Sequence, residues 1–104
     1  MDVLDKIRNQ VRDGQYRISD HAHREMLNDG FLLQDLVEGV LSGEVLEDYP
    51  EHRRGPCCLL NGTTAGNRPI HIVCTTSLPV AIMITVYEPK PPKWVNPRVR
   101  SGKT

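Results

Sequence analysis

The stretch from residue 68 to residue 94, RPIHIVCTTSLPVAIMITVYEPKPPKW, constrains the fold more than any other part of this chain. It contains two near-continuous apolar runs, residues 69–76 and 80–87, separated by a short turn with a proline. Such runs are typical of strands at the centre of a sheet that has helices packed on it. Three prolines within residues 89–92 then prevent further strand pairing. The stretch therefore predicts a central hairpin followed by an extended exit.

The first half of the chain has a helical rather than a strand period. Apolar residues recur at helical spacing over residues 2–12, 21–28 and 33–41. Two β-type segments, Glu44–Tyr49 and residues 57–61, follow before the central hairpin. Helices first and strands afterwards predict an α+β fold, with two to three N-terminal helices packed on a four-stranded antiparallel sheet.

The length of the chain, 104 residues, fits one domain. We predict a single α+β domain over residues 1–95 and a basic C-terminal tail over residues 96–104. Residues 16–18 are predicted to be a short extended link between helices. No apolar run approaches the roughly 20 residues that a membrane span needs. The N-terminal residues also lack the apolar core of a signal peptide, so we expect a cytoplasmic protein without membrane contacts.

The net charge of zero hides an asymmetry between the two halves. Residues 1–51 carry 12 acidic and 5 basic side chains, whereas residues 52–104 carry 8 basic and 1 acidic. This asymmetry predicts either a surface that faces a polyanion or two halves that neutralise each other within one fold.

Three cysteines, Cys57, Cys58 and Cys74, form no CxxC pair. Adjacent residues of a strand point to opposite faces, so Cys57 and Cys58 are not expected to share a metal ion. We predict that all three are small buried apolar residues and that the protein has no metal site.

His21 lies in the first turn of the predicted second helix, where free backbone N–H groups favour anions. Arg24 and Glu25 follow three and four residues later on the same side of the helix. The histidine is therefore either a surface residue without a role or a phosphate-facing acid, base or hydrogen-bond donor.

His71 alternates with apolar neighbours in the first strand of the central hairpin and so points away from their face. If the two strands pair, Thr85 and Tyr87 share the face of His71. Arg68 lies near the start of the same strand. His71 is either a structural histidine with satisfied hydrogen bonds or a proton-transfer group, because its ordinary pKa suits transfer near neutrality.

Two histidines, arginines and a tyrosine without metal ligands suit RNA cleavage by the substrate's own 2′-hydroxyl. One imidazole removes the hydroxyl proton, a second group protonates the leaving oxygen, and arginine stabilises the charge on phosphate. This chemistry needs no cofactor.

Five segments of the chain, SDHAHREM, GEVLEDYP, CCLLNG, RPIHIV and ITVYEPKPPKW, resemble the small bacterial family 4258 of the domains of unknown function. The resemblance covers about residues 16–94. It implies a relationship to RelE-like and barnase-like ribonuclease toxins, with helices packed on an antiparallel sheet. It also implies a cognate antitoxin, since members of the family are often paired with zinc-ribbon and helix-turn-helix antitoxins.

The residues and the resemblance together predict an endoribonuclease that is the toxin of a toxin–antitoxin pair. We predict four catalytic residues: His21, Arg24, His71 and Tyr87. We predict four substrate-binding residues: Arg68, Thr85, Lys90 and Lys93. The expected partners are RNA and an antitoxin protein, and the strand Glu44–Tyr49 can pair across a homodimer if it lies at a sheet edge. The alternative is a non-catalytic module that binds a protein or RNA.

Overall fold

The computed structural model describes residues 2–102. Its three helices match the predicted helical segments to within one residue at each end: α1 (Val3–Arg12), α2 (Asp20–Asp29) and α3 (Leu33–Ser42). α2 begins after Ser19, whose Oγ accepts the N–H of Ala22, and ends at Gly30 with a left-handed φ of 72°. Among the described residues, no helix is long and apolar enough to cross a membrane.

Five strands form one mixed sheet with the spatial order β1-β5-β4-β3-β2. The strands are β1 (Tyr16–Ile18), β2 (Glu44–Tyr49), β3 (Cys57–Thr63), β4 (Pro69–Thr75) and β5 (Ala81–Tyr87). β2 to β5 pair antiparallel in chain order, as predicted. The prediction of a four-stranded antiparallel sheet is wrong because the segment predicted as a link, β1, pairs in parallel with β5. Three residues carry too little alternation to mark a strand.

All three helices pack on one face of the sheet. The core between them combines helix and strand side chains, including Ile7, Met26, Val40, Leu60, Ile72 and Val86. Cys58 and Cys74 lie in this core, and Cys57 is buried on the other face of β3. The prediction that the cysteines are buried is confirmed, and burial raises the pKa of Cys58 to about 12.

The C-terminal residues cover the opposite face of the sheet. They form a small antiparallel hairpin of β6 (Trp94–Asn96) and β7 (Val99–Arg100). The stretch predicted as a basic tail, residues 96–104, thus contributes to a folded hairpin over its described part, and residues 103 and 104 lie outside the described residues. His71 lies opposite Tyr87 on the face away from the helices, as predicted. It is fully buried there rather than open to solvent.

α3 lies on β3 in direct backbone contact. A Cβ atom added to Gly62 would lie 2.0 Å from the carbonyl oxygen of Gly39 and 2.8 Å from its Cα. A Cβ added to Gly39 would lie 2.5 Å from Cγ2 of Ile70. The two glycines therefore set how closely α3 approaches the sheet.

We expect Gly62→Ala to lower the free energy of unfolding by about 3 kcal/mol, because the methyl group meets backbone that cannot move without shifting α3. Gly66→Ala is the matched control, since its Cβ would lie 3.7 Å from Thr64 Oγ1, an ordinary contact. The control should change stability by less than about 0.5 kcal/mol. Urea unfolding of both variants measures the difference, and equal midpoints would contradict the close approach of α3.

Candidate functional site

α2 covers the part of the β5 edge that β1 leaves unpaired. β1 reaches only Met83, and beyond it two carboxylates of α2 accept backbone N–H groups of the chain at and just after β5. Glu25 Oε1 accepts the Val86 N–H at 2.9 Å, and Asp29 Oδ2 accepts the Glu88 N–H at 2.8 Å. Side chains four residues apart on a helix are separated by about 6 Å along its axis, and two residues of a strand span about 6.8 Å. Because these distances are similar, side chains one helical turn apart can reach every second N–H group of the strand.

His21 lies one turn before Glu25 on α2. Its Nε2 is 3.2 Å from Glu25 Oε1; the His21 side chain is 58% exposed and that of Glu25 is 24% exposed. Burial raises the pKa of Glu25, while its hydrogen bond from Val86 and the nearby His21 act in the opposite direction. A neutral imidazole that donates from Nε2 to this carboxylate has Nδ1 as its basic nitrogen. The pair therefore places an exposed imidazole beside a half-buried carboxylate.

A cleft of about 320 Å³ opens beside this pair, between α2 and the segment that follows β5. Its lining consists of His21, Glu25, Thr85, Tyr87, Glu88, Lys90, Lys93 and Trp94. The two lysines come from the proline-rich exit, and Lys90 Nζ lies 3.9 Å from Asp29 Oδ1. The cleft is thus lined by an imidazole, a tyrosine, two lysines and two glutamates.

His71 lies behind the cleft wall and does not line it. Its Nε2 is 2.6 Å from the carbonyl oxygen of Pro97, and its Nδ1 is 3.1 Å from Tyr87 Oη. A carbonyl can only accept, so Nε2 carries the proton and Nδ1 accepts the proton of the Tyr87 hydroxyl. Burial lowers the pKa of His71 below its ordinary value, which favours this neutral form. His71 therefore fixes the direction in which the Tyr87 hydroxyl donates.

The C-terminal hairpin closes over His71 through one aromatic and one ionic contact. The ring of Trp94 meets that of His71 edge-on, with centroids 4.4 Å apart, and the Arg100 guanidinium lies over the Trp94 ring at 4.5 Å. Arg100 also donates to both carboxylate oxygens of Glu47 at 2.8 Å. These hydrogen bonds lower the pKa of Glu47 to about 2. The hairpin is thus held to β2 across the buried histidine.

Within residues 2–102, three ion pairs join the acidic first half of the chain to the basic second half. They are Lys90–Asp29, Arg98–Glu44 and Arg100–Glu47. Mutual neutralisation within one fold, one of the two interpretations of the charge asymmetry, is therefore confirmed for these side chains. Arg98 and Arg100 bind carboxylates of β2 rather than extending into solvent as a tail.

The structure brings five of the eight predicted site residues to the cleft: His21, Thr85, Tyr87, Lys90 and Lys93. Arg68 lies elsewhere. Its guanidinium donates to the Asp29 carbonyl at 2.6 Å and to Glu88 at 2.7 Å, and it lies 4.1 Å from the Phe31 ring centroid. Arg68 therefore ties the end of α2 to the segment after β5.

Arg24 lies next to the cleft rather than in it. It lines a neighbouring groove, of which His21 is also part. The cleft and this groove consequently meet at the imidazole of His21.

Glu25 and Trp94 also line the cleft, although neither was among the predicted site residues. The spacing of Glu25, four residues after a histidine on a helix, is the signal that points to it. Trp94 carries no such signal, because its place against His71 depends on the fold of the C-terminal hairpin. Within residues 2–102, no three His, Cys, Asp or Glu side chains are grouped so that they could hold a metal ion.

Comparison with known proteins gives one match. The family model described as Domain of unknown function (DUF4258) matches residues 18–88. The chain belongs to the DUF4258 family. No curated protein and no solved structure matches it.

The DUF4258 match begins just before α2 and ends just after β5. It includes His21, Glu25 and Tyr87, which form the wall of the cleft on the side of α2 and β5. Lys90, Lys93 and the C-terminal hairpin lie beyond the matched residues. The cleft is thus built from the family region and from the segment that follows it.

We expect His71 to make the protein less stable as the pH falls below about 6.5, the ordinary value for histidine. Above that pH the imidazole is neutral in both states. Below it the unfolded chain binds a proton that the buried ring resists, so the free energy of unfolding falls by at most about 1.4 kcal/mol per pH unit from this group.

Urea unfolding of the wild type and of His71→Gln at about pH 7.5 and about pH 5.5 measures this contribution. The variant removes the titrating group and should show the smaller loss of stability on acidification. Equal losses in the two proteins would show that the native structure does not disfavour protonation of His71.

Proposed function

We propose that this protein is an endoribonuclease that cleaves RNA through the substrate's own 2′-hydroxyl, with His21 as the proton-transfer residue. The observation that carries the proposal is the His21–Glu25 pair, with 3.2 Å between Nε2 and Oε1, beside a cleft that two lysines also line. An oriented imidazole and fixed positive charges are what this reaction requires of a protein.

In the proposed reaction, His21 Nδ1 removes the proton from the 2′-hydroxyl, and the 2′-oxygen attacks the adjacent phosphorus. The bond between phosphorus and the 5′-oxygen breaks, and a lysine ammonium of the cleft gives a proton to the leaving oxygen. The products are a 2′,3′-cyclic phosphate and a free 5′-hydroxyl. Lys90 and Lys93 stabilise the charge that develops on the phosphate, and Glu25 stabilises the imidazolium.

Tyr87 and His71 have positioning roles in this proposal. The Tyr87 hydroxyl donates to His71, and Tyr87 lines the cleft, so its proposed role is to contact and position the ribose. His71 is fully buried and cannot reach a phosphate, so it acts through Tyr87 instead of exchanging protons with the substrate.

We further propose that the protein is a cytoplasmic toxin related to RelE-like and barnase-like ribonucleases and is neutralised by a cognate antitoxin. The support is an α+β layout with every helix on one face of the sheet, together with the resemblance of the polar motifs. The edge position of β2 also leaves it available for strand pairing across a homodimer.

Incubation of the purified protein with labelled single-stranded RNA in excess EDTA tests the proposal. We expect cleavage to 2′,3′-cyclic phosphate ends, and no cleavage at a 2′-O-methyl position, which lacks the attacking group. We expect His21→Ala to lower kcat/KM by about 10²–10⁴, the usual contribution of a proton-transfer residue.

His23→Ala is the matched control, because His23 is exposed on the same helix and does not line the cleft. Its kcat/KM should stay within about twofold of the wild type while His21→Ala falls by at least about 10². RNA left intact by the wild type rejects the nuclease, and binding without cleavage supports the non-catalytic alternative. Cleavage that EDTA abolishes rejects the proposed mechanism, and equal loss in the two variants rejects the assignment of His21.

A further inference from the structure

Three arginines from three parts of the fold converge on one groove beside the cleft. Arg17 comes from β1, Arg24 from α2, and Arg54 from the loop between β2 and β3. The groove has a volume of about 470 Å³, and we refer to these three residues as the arginine groove. His21 lines both this groove and the cleft that the two lysines line.

The arginines of the arginine groove differ from those of the other basic parts of the molecule in their ion pairing. Arg68, Arg98 and Arg100 each form an ion pair with a carboxylate. Within residues 2–102, by contrast, the guanidinium groups of the arginine groove have no ion-pair or hydrogen-bond partner, and all three residues are exposed. Asp20 is the one carboxylate in the groove lining, which leaves a formal charge of +2 there with His21 neutral.

We propose that the arginine groove binds the backbone phosphates of single-stranded RNA that flank the phosphate cleaved at His21. The strand would run from the lysines of the cleft, past the imidazole, into the groove. This inference rests on the proposed ribonuclease function. It extends the substrate from one phosphodiester to a strand several nucleotides long.

The chemistry of the groove fits the phosphates of a nucleic-acid strand. A guanidinium donates two parallel hydrogen bonds to one phosphate, and unpaired arginines lose no internal ion pair on binding. Ile18 and Ile82 also line the groove, so apolar surface is available to ribose and base faces. A polyanion that follows the groove meets several positive charges in sequence.

Binding of a fluorescent, fully 2′-O-methylated oligonucleotide tests the proposal without cleavage. We expect the slope of log Kd against log salt concentration to be smaller by about 1.4 in the double variant Arg17→Gln/Arg54→Gln than in the wild type. Each lost phosphate contact to a single strand lowers this slope by about 0.7. At roughly 0.1 M salt the double variant should bind on the order of 10-fold more weakly. Arg12→Gln, a change of the same kind at an exposed position of α1, is the control and should keep the wild-type slope.

Cleavage assays separate this inference from the proposed function. In the double variant the ratio of kcat/KM for a long strand to that for a dinucleoside monophosphate should fall, because only the long strand reaches the groove. If no substrate is cleaved but the double variant still loses binding, the ribonuclease proposal fails and the groove stands. If the wild type does not bind the oligonucleotide, or the double variant binds as the wild type does, the groove is not an RNA site, and an acidic protein surface becomes its candidate ligand.

Discussion

The hydrogen bonds from α2 carboxylates to the edge of β5 are the interaction on which the candidate site depends. β1 pairs with only part of that edge, and an unpaired strand edge is costly when buried and prone to association when exposed. Glu25 and Asp29 satisfy it from the helix. The same bonds fix the rotation of α2 about its axis, so His21, one turn before Glu25, faces the cleft. A structural requirement of the sheet thereby orients the proposed proton-transfer residue.

On the opposite face of the sheet, the C-terminal hairpin determines the environment of His71. His71 is a histidine in an apolar strand, which by itself fits a buried structural residue or an active-site base equally well. Trp94 covers the ring, and the carbonyl oxygen of Pro97 accepts a hydrogen bond from Nε2. The histidine is therefore neutral and held away from solvent. What reaches the cleft is its partner Tyr87, with a hydroxyl whose direction the buried ring determines.

Local periodicity predicted the three helices and the four antiparallel strands, because each of these segments contains several apolar residues at one spacing. It did not predict β1, where three residues contain only one alternation, or the C-terminal hairpin, whose pairing depends on Glu44 and Glu47 far away in the chain. The predicted site residues differ in the same way, because some are placed by their own segment and others by distant parts of the chain. His21 and Tyr87 share the cleft as expected, whereas Arg68 and His71 are drawn into contacts that no single segment encodes.

The charge asymmetry left two interpretations open, because a sum of charges does not show which side chains are partners. Arg98 and Arg100 of the basic half bind β2, whereas the arginines at positions 17 and 24, which have no ion-pair partner within residues 2–102, come from the acidic half. The His21–Glu25 pair is fixed by backbone bonds within the DUF4258 region, while the lysines come from the exit beyond it. The proposed base and the lysines of the cleft therefore come from different parts of the fold.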